Sequence, residues 1–148
     1  MTVGLPISPE AVIEVCLCHG ARRAARALSR RYDAALAPHG VTSGQFALLA
    51  AIAANGPVAA ARLVRLMRME ASTLSRNLQP LRRAGQVTVS GGAGRRGGQV
   101  ALTDAGRRTL AAAIPAWQAA QGAVAARLGN ATASALLDGL EKAAIADE

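Results

Sequence analysis

Ser72-Thr73-Leu74-Ser75-Arg76-Asn77-Leu78-Gln79 places short hydroxyl side chains ahead of a guanidinium and an amide. That order suits a helix whose N-terminal end meets nucleic acid. Ser72 and Thr73 can bond phosphate beside the helix N-terminus. Arg76 can pair with a guanine edge through two hydrogen bonds, worth about 1–3 kcal/mol of discrimination. Ser75 and Gln79 extend the same polar stripe. A second basic pair, Arg95 and Arg96, sits in the run Gly91-Gly92-Ala93-Gly94-Arg95-Arg96-Gly97-Gly98. This loop has too few side chains for a core role, and its arginines suit phosphates or a narrow minor groove. The plainer readings are a solvated helix face and an ordinary turn. Charge weighs against them: between Arg62 and Arg108 ten arginines face only Glu70 and Asp104, a surplus equal to the whole net charge of +8. The positive field is thus concentrated on one module, and DNA is its natural partner.

The elements that must position these groups follow from local rules. Ser8-Pro9-Glu10 reads as a helix start, and the helix is expected to run to about Ala37. Leu17, Ala21, Ala24, Leu28, Tyr32 and Ala35 form its apolar stripe. Thr42 and Gln45 have capping-box spacing for a second helix carrying Phe46, Leu48, Leu49 and Ile52, which stops at Asn55-Gly56-Pro57. A third helix is expected from about Val58 to Met67. The fourth, about Ala71 to Ala84, turns Ala71, Leu74, Leu78 and Leu81 inward and Ser72, Arg76, Gln79 and Arg83 outward. Gln86–Ser90 and Gln99–Leu102 read as two strands around the glycine-rich turn. Thr103-Asp104 caps a long helix to about Leu128 with a kink at Pro115, and Asn130 opens a last helix toward Ala144.

The fold class is therefore mainly α, a winged helix-turn-helix with a two-stranded wing between long N- and C-terminal helices. A length of 148 residues, 51 % of them hydrophobic, suits one domain, with dimerisation helices at 8–37 and 103–145 and the DNA-binding region at 43–102. Ala135, Leu136, Leu137, Leu140 and Ile145 give the terminal helices more apolar surface than a small winged helix covers. A homodimer follows, and two-fold symmetry would match a palindrome; the alternative is a monomer that packs these helices on itself. The uncharged run 34–61 is cut by Pro38, Gly40, Gly56 and Pro57, and what remains is too short for ~30 Å of hydrocarbon. No secretory signal is legible, so the cytoplasm is the expected compartment and no membrane partner is expected.

Cys16 and Cys18 are the only cysteines. On a continuous helix their side chains diverge by about 200°, so they cannot bridge each other, and Cys18 falls at the edge of the apolar stripe. The spacing fits neither covalent haem nor a zinc site. No metal and no cofactor are expected. His39 reads as a loop residue. There is no nucleophile-base-acid set and no phosphate loop, so an enzyme is not expected. Tyr32 and Phe46 are candidates for lining a pocket that takes a small aromatic or lipophilic acid.

The segments "PVAAARLVRLMRMEASTLSRNLQPLRRAGQV" and "GRRGGQVALTDAGRR", with the flanking long helices, resemble the MarR family of bacterial transcription regulators over nearly the full length. The resemblance implies a triangular homodimer with interlocked terminal helices, each subunit offering one winged helix to half of a near-palindromic operator. It puts Ser72, Thr73, Ser75 and Arg76 in the major groove and Arg95 or Arg96 in the minor groove. The chain departs from the family at Gly94, where an Asp usually braces the wing arginine, and at Pro80 inside the recognition helix. Cys18 and Tyr32 match positions used by relatives that sense organic peroxides, although Arg22 stands where those relatives tend to have a second tyrosine. The implied function is a DNA-binding repressor released by thiol oxidation or a small ligand; the alternative is a winged helix that binds protein.

Overall fold

The computed structural model describes residues 6–91 and 98–144. Arg95, Arg96, Gly94 and Ile145 lie outside the described residues.

The expected N-terminal helix is in fact two. Ser8 Oγ accepts from the Ala11 amide and opens α1 (Pro9–Val15), and α2 spans Leu17–Leu36. Cys16, with ψ of 106°, leaves helical geometry between them. Its amide closes α1 on the Val12 carbonyl at 3.1 Å, while its sulfur accepts from the His19 amide at 3.4 Å and caps α2. Val12, Ile13 and Val15 are β-branched and weaken the helix ahead of the break. The angular separation expected of the two cysteines thus does not apply. Cys18 is exposed, not set in a buried stripe, and Leu17 is 88 % exposed.

A short 3-10 turn (Ala37–His39) leads to α3 (Ser43–Asn55). Both halves of its capping box form, Thr42 Oγ1 accepting from the Gln45 amide and Gln45 Oε1 from the Thr42 amide. Helix α3 buries Phe46, Leu48, Leu49 and Ile52 and is the centre of the core. Leu36 of α2, Leu63, Leu74 and Leu81 from the two following helices, and Val87, Val100 and Leu102 of the sheet close around it.

Val58 does not begin a helix. Val58–Ala59 is a strand, β1, followed by α4 (Ala60–Met67), α5 (Ala71–Arg83), β2 (Val87–Ser90) and β3 (Gln99–Leu102). The antiparallel sheet has the order β1-β3-β2, with Val58 opposite Val100 and Val87 opposite Leu102, so the wing has three strands where two were expected. Pro57 and β-branched Val58 favour extended backbone, and β3 supplies the pairing.

Helices α6 (Asp104–Leu128) and α7 (Asn130–Ala144) complete the chain. Pro115 lies within α6 without ending it. Thr103 caps α6 by accepting from the Gly106 amide at 3.1 Å and donates to the Gly85 carbonyl at 2.6 Å. A Cβ at Gly106 would stand 2.0 Å from the Gln86 carbonyl oxygen, so glycine alone lets α6 approach the exit of α5 this closely. Among the described residues, no helix is long and apolar enough to cross a membrane.

Candidate nucleic-acid interface

Helix α4 ends at Arg68, the only non-glycine with positive φ among the described residues (φ 46°, ψ 48°). The Arg68 and Met69 amides return to the carbonyls of Arg65 and Val64, both at 3.2 Å. Glu70 then adopts extended backbone, and its carbonyl accepts from the Thr73 and Leu74 amides at 3.0 Å. No side chain caps α5. Its first amides therefore present the positive end of the helix dipole outward.

Leu74 and Leu81 are buried and Leu78 half-buried, so α5 is docked along that face. Ala71 was expected on the same face but is exposed, because the first turn projects beyond the packed part of the helix. Asn77 was not singled out in the sequence, yet its Nδ2 donates to the Thr73 carbonyl at 3.0 Å. Gly44 of α3 lies against it: a Cβ there would be 3.3 Å from Asn77 Oδ1. The short residue lets α3 and α5 meet closely and so fixes how far the opposite face stands out.

On that opposite face Ser72, Ser75, Arg76 and Gln79 are exposed and Thr73 is half-exposed. Arg76 Nη2 donates to Thr73 Oγ1 at 3.2 Å, which draws the guanidinium toward the N-terminal end of α5. Pro80 does not interrupt the helix, which continues to Arg83. It does remove the amide that would bond the Arg76 carbonyl. Arg62, Arg65, Arg76, Arg82 and Arg83 have no carboxylate within 4 Å among the described residues, while Arg68 pairs with Glu141 of α7 at 2.8 Å. The result is a docked helix with an uncapped N-terminus, a polar stripe that carries Arg76, and Arg82 and Arg83 in its last turn without an acid partner among the described residues.

Residues 39–96 match the MarR family model. The Mycobacterium tuberculosis transcriptional regulator MosR is 36 % identical, over 89 % of this chain and 97 % of that one, with a TM-score of 0.77. The chain belongs to the MarR family. MosR in complex with DNA matches at 36 % identity, 88 % and 99 % coverage and a TM-score of 0.71. A Mycobacterium tuberculosis MarR family protein in complex with salicylic acid matches at 27 %, over 85 % and 94 %, with a TM-score of 0.62. No curated protein sequence matches the chain.

Phe46, Tyr32 and Cys18 have different surroundings in this MarR-family chain. Phe46 is buried and stacks on Trp117, with ring centroids 5.9 Å apart. The half-buried Tyr32 hydroxyl donates to Gln121 Oε1, and burial pushes its pKa above the ordinary value. Both rings are thus engaged by α6. The groove of about 240 Å³ between α2, α6 and α7 includes neither of them. Cys18 lies on the first turn of α2, exposed and distant in sequence from both rings. Among the described residues, no group of three His, Cys, Asp or Glu side chains is placed to hold a metal ion.

Proposed function

We propose that this chain is a single-domain, sequence-specific DNA-binding regulator, a cytoplasmic repressor that acts as a homodimer on a near-palindromic operator. The observation that carries this reading is the exposed face of α5, where Ser72, Thr73, Ser75, Arg76 and Gln79 stand beside arginines with no acid within 4 Å among the described residues. In the major groove the free amides of the first turn and the Ser72 and Thr73 hydroxyls meet backbone phosphate, and Arg76 reads a base edge. Gln79 reaches bases or sugar further along. Arg95 or Arg96 takes the minor groove. Support comes from MosR, which has been solved with DNA. If six or more phosphates are neutralised, binding weakens by about a thousandfold or more between about 50 and about 200 mM salt. Salt-indifferent binding would contradict this reading.

Two-fold association is supported by the exposed apolar side chains of α1 and α7, among them Ile13, Val15 and Leu137 at 57 %, 69 % and 62 % exposure. A second subunit would cover them.

The ion pair of Arg68 with Glu141 predicts a measurable effect. Arg68 precedes the N-terminus of α5, and Glu141 competes with phosphate for its guanidinium. Glu141→Gln is expected to tighten DNA binding a few-fold at low salt and to steepen the dependence of log K on log salt by about one unit. It should leave stability within about 1 kcal/mol, since the pair is exposed. An unchanged slope in a filter-binding titration would show that Arg68 makes no phosphate contact.

Release follows either a small ligand or oxidation of Cys18. In the thiol route, a hydroperoxide transfers one oxygen to the Cys18 sulfur, giving sulfenic acid and the corresponding alcohol. Cys18 is exposed and so reachable. Cys18→Ser is expected to keep full DNA binding after stoichiometric organic peroxide, whereas the unsubstituted chain loses it. If both proteins lose binding in a gel-shift assay, oxidation acts elsewhere than at Cys18; if neither does, a small ligand is the effector.

A further inference from the structure

Helix α2 carries a second concentration of cations. Outside residues 62–108 the charges of the chain sum to zero, yet five of the seven cations there, Arg22, Arg23, Arg26, Arg30 and Arg31, lie on this one helix with a single acid, Asp33. At about 100° per residue, Arg22, Arg26, Arg30 and Arg23 fall within an arc of about 100° and extend about 12 Å along the axis. All four are exposed, and none has a carboxylate within 4 Å among the described residues. Asp33 shares their face, but its Oδ1 accepts from the Ser43 amide at 2.6 Å and is committed to the start of α3. Like charges one turn apart weaken a helix, so the stripe does nothing for the fold.

This stripe is not part of the α5 surface. Helix α3 packs on both α2 and α5, whereas α2 and α5 share at most a marginal contact. Leu36 anchors the C-terminal end of α2 in the core, and the stripe covers the stretch from about 9 to about 21 Å before it. A polyanion held there is therefore separate from the one on α5. Its kind follows from what borders the arginines. Ala25 and Ser29 flank them on one side and Ala27 on the other. Helices that lie on membranes set Trp, Phe or Leu beside their basic residues, and this border has none. Rigid, regularly spaced cations suit a rigid rod of phosphates, which is duplex DNA.

We infer that the α2 stripe holds a second segment of duplex DNA by its phosphates, so that the regulator joins two DNA segments. The α5 face takes the operator, and Arg22, Arg23, Arg26 and Arg30 take DNA that comes near it. Each contact is a guanidinium donating to phosphate oxygen, and each releases counterions. Phosphate contacts carry no sequence information, so the second segment can have any sequence. This inference rests on the DNA-binding reading above, which supplies the first segment.

The test places the full chain on an immobilised duplex carrying the DNA upstream of its own gene and measures retention of a labelled duplex of unrelated sequence at about 100 mM salt. The wild-type chain is expected to retain it. Arg22→Gln, Arg23→Gln, Arg26→Gln and Arg30→Gln together keep the helix propensity. They are expected to lower retention about tenfold or more while affinity for the immobilised duplex stays within about threefold. The same four positions changed to Lys are expected to keep retention, because phosphate needs the charge more than the planar fork. A second duplex taken by another copy's α5 would survive all of these changes, so equal retention by the Gln variant overturns the stripe. So does loss of retention in the Lys variant, or a wild-type chain that holds the immobilised duplex and no second one. A Gln variant that loses the immobilised duplex while the Lys variant keeps it shows the stripe on the operator itself, which also overturns the inference. A wild-type chain that binds no DNA overturns the DNA-binding reading together with this one. Phosphatidylserine vesicles in place of the labelled duplex test the rival surface: retention of vesicles but not of duplex assigns the stripe to a membrane and overturns the proposal.

Discussion

Gly106→Ala is expected to lower folding stability by about 3 kcal/mol or more, one of the largest effects available from a single methyl group in this chain. The added Cβ would meet the Gln86 carbonyl oxygen at 2.0 Å and the Gln86 carbonyl carbon at 3.0 Å. Both atoms are backbone, so a rotamer change cannot relieve the clash. The loop is also held from the other side. Thr103 binds it through its hydroxyl to the Gly85 carbonyl and through its amide to the Gln86 carbonyl, and Gln86 Nε2 donates to Thr109 at 3.1 Å. Either α6 moves away from the winged helix or these bonds break. Thermal unfolding at fixed protein concentration should show a Tm lower by roughly 6–12 °C. Gly122→Ala is the control: it lies in the same helix with nothing within 4 Å of its Cβ position. It should be neutral or stabilising by up to about 1 kcal/mol. Equal Tm values for the two variants would mean that α6 does not depend on this close approach.

Arg76→Ala is expected to weaken binding to the operator by about 5- to 150-fold, the equivalent of 1–3 kcal/mol for one two-bond base contact. The loss should be smaller on DNA of unrelated sequence, so that specificity falls with affinity. Arg76→Lys separates charge from geometry. Lysine keeps the phosphate attraction but not the planar fork, and it should recover non-specific affinity more than specificity. The bond from Arg76 to Thr73 suggests a companion effect, since Thr73→Val frees the guanidinium from its N-terminal orientation. If Arg76→Ala lowers specific and non-specific binding by the same factor, Arg76 touches only phosphate and base reading lies elsewhere on α5.

What was legible in the sequence is what local rules determine. The caps at Ser8, Thr42 and Thr103 each use a side chain within three residues of its partner, and all three form. The α5 stripe was legible because Leu74 and Leu81 repeat with the helical period. The differences arise where a distant segment decides. Val58–Ala59 is a strand because β3, some forty residues later, offers it bonds. A two-residue strand has no periodicity to read. The break at Cys16 depends on sulfur acting as a cap, an acceptor too weak to serve as a sequence signal. Gly44 and Gly106 look like ordinary helix glycines until α5 and the Gly85-Gln86 loop approach them. Arg68 and Glu141 are 73 residues apart, and only the fold brings them together. Phe46 stacks on Trp117, a partner that no local pattern names.

The central claim is specific DNA recognition by the α5 face. Its most direct test is binding of the reduced protein to the DNA upstream of its own gene, at near-physiological salt, with excess unrelated competitor DNA. The account predicts a complex that survives the competitor and that Arg76→Ala abolishes or greatly weakens. Binding that the competitor removes completely, or no binding at all, would contradict it.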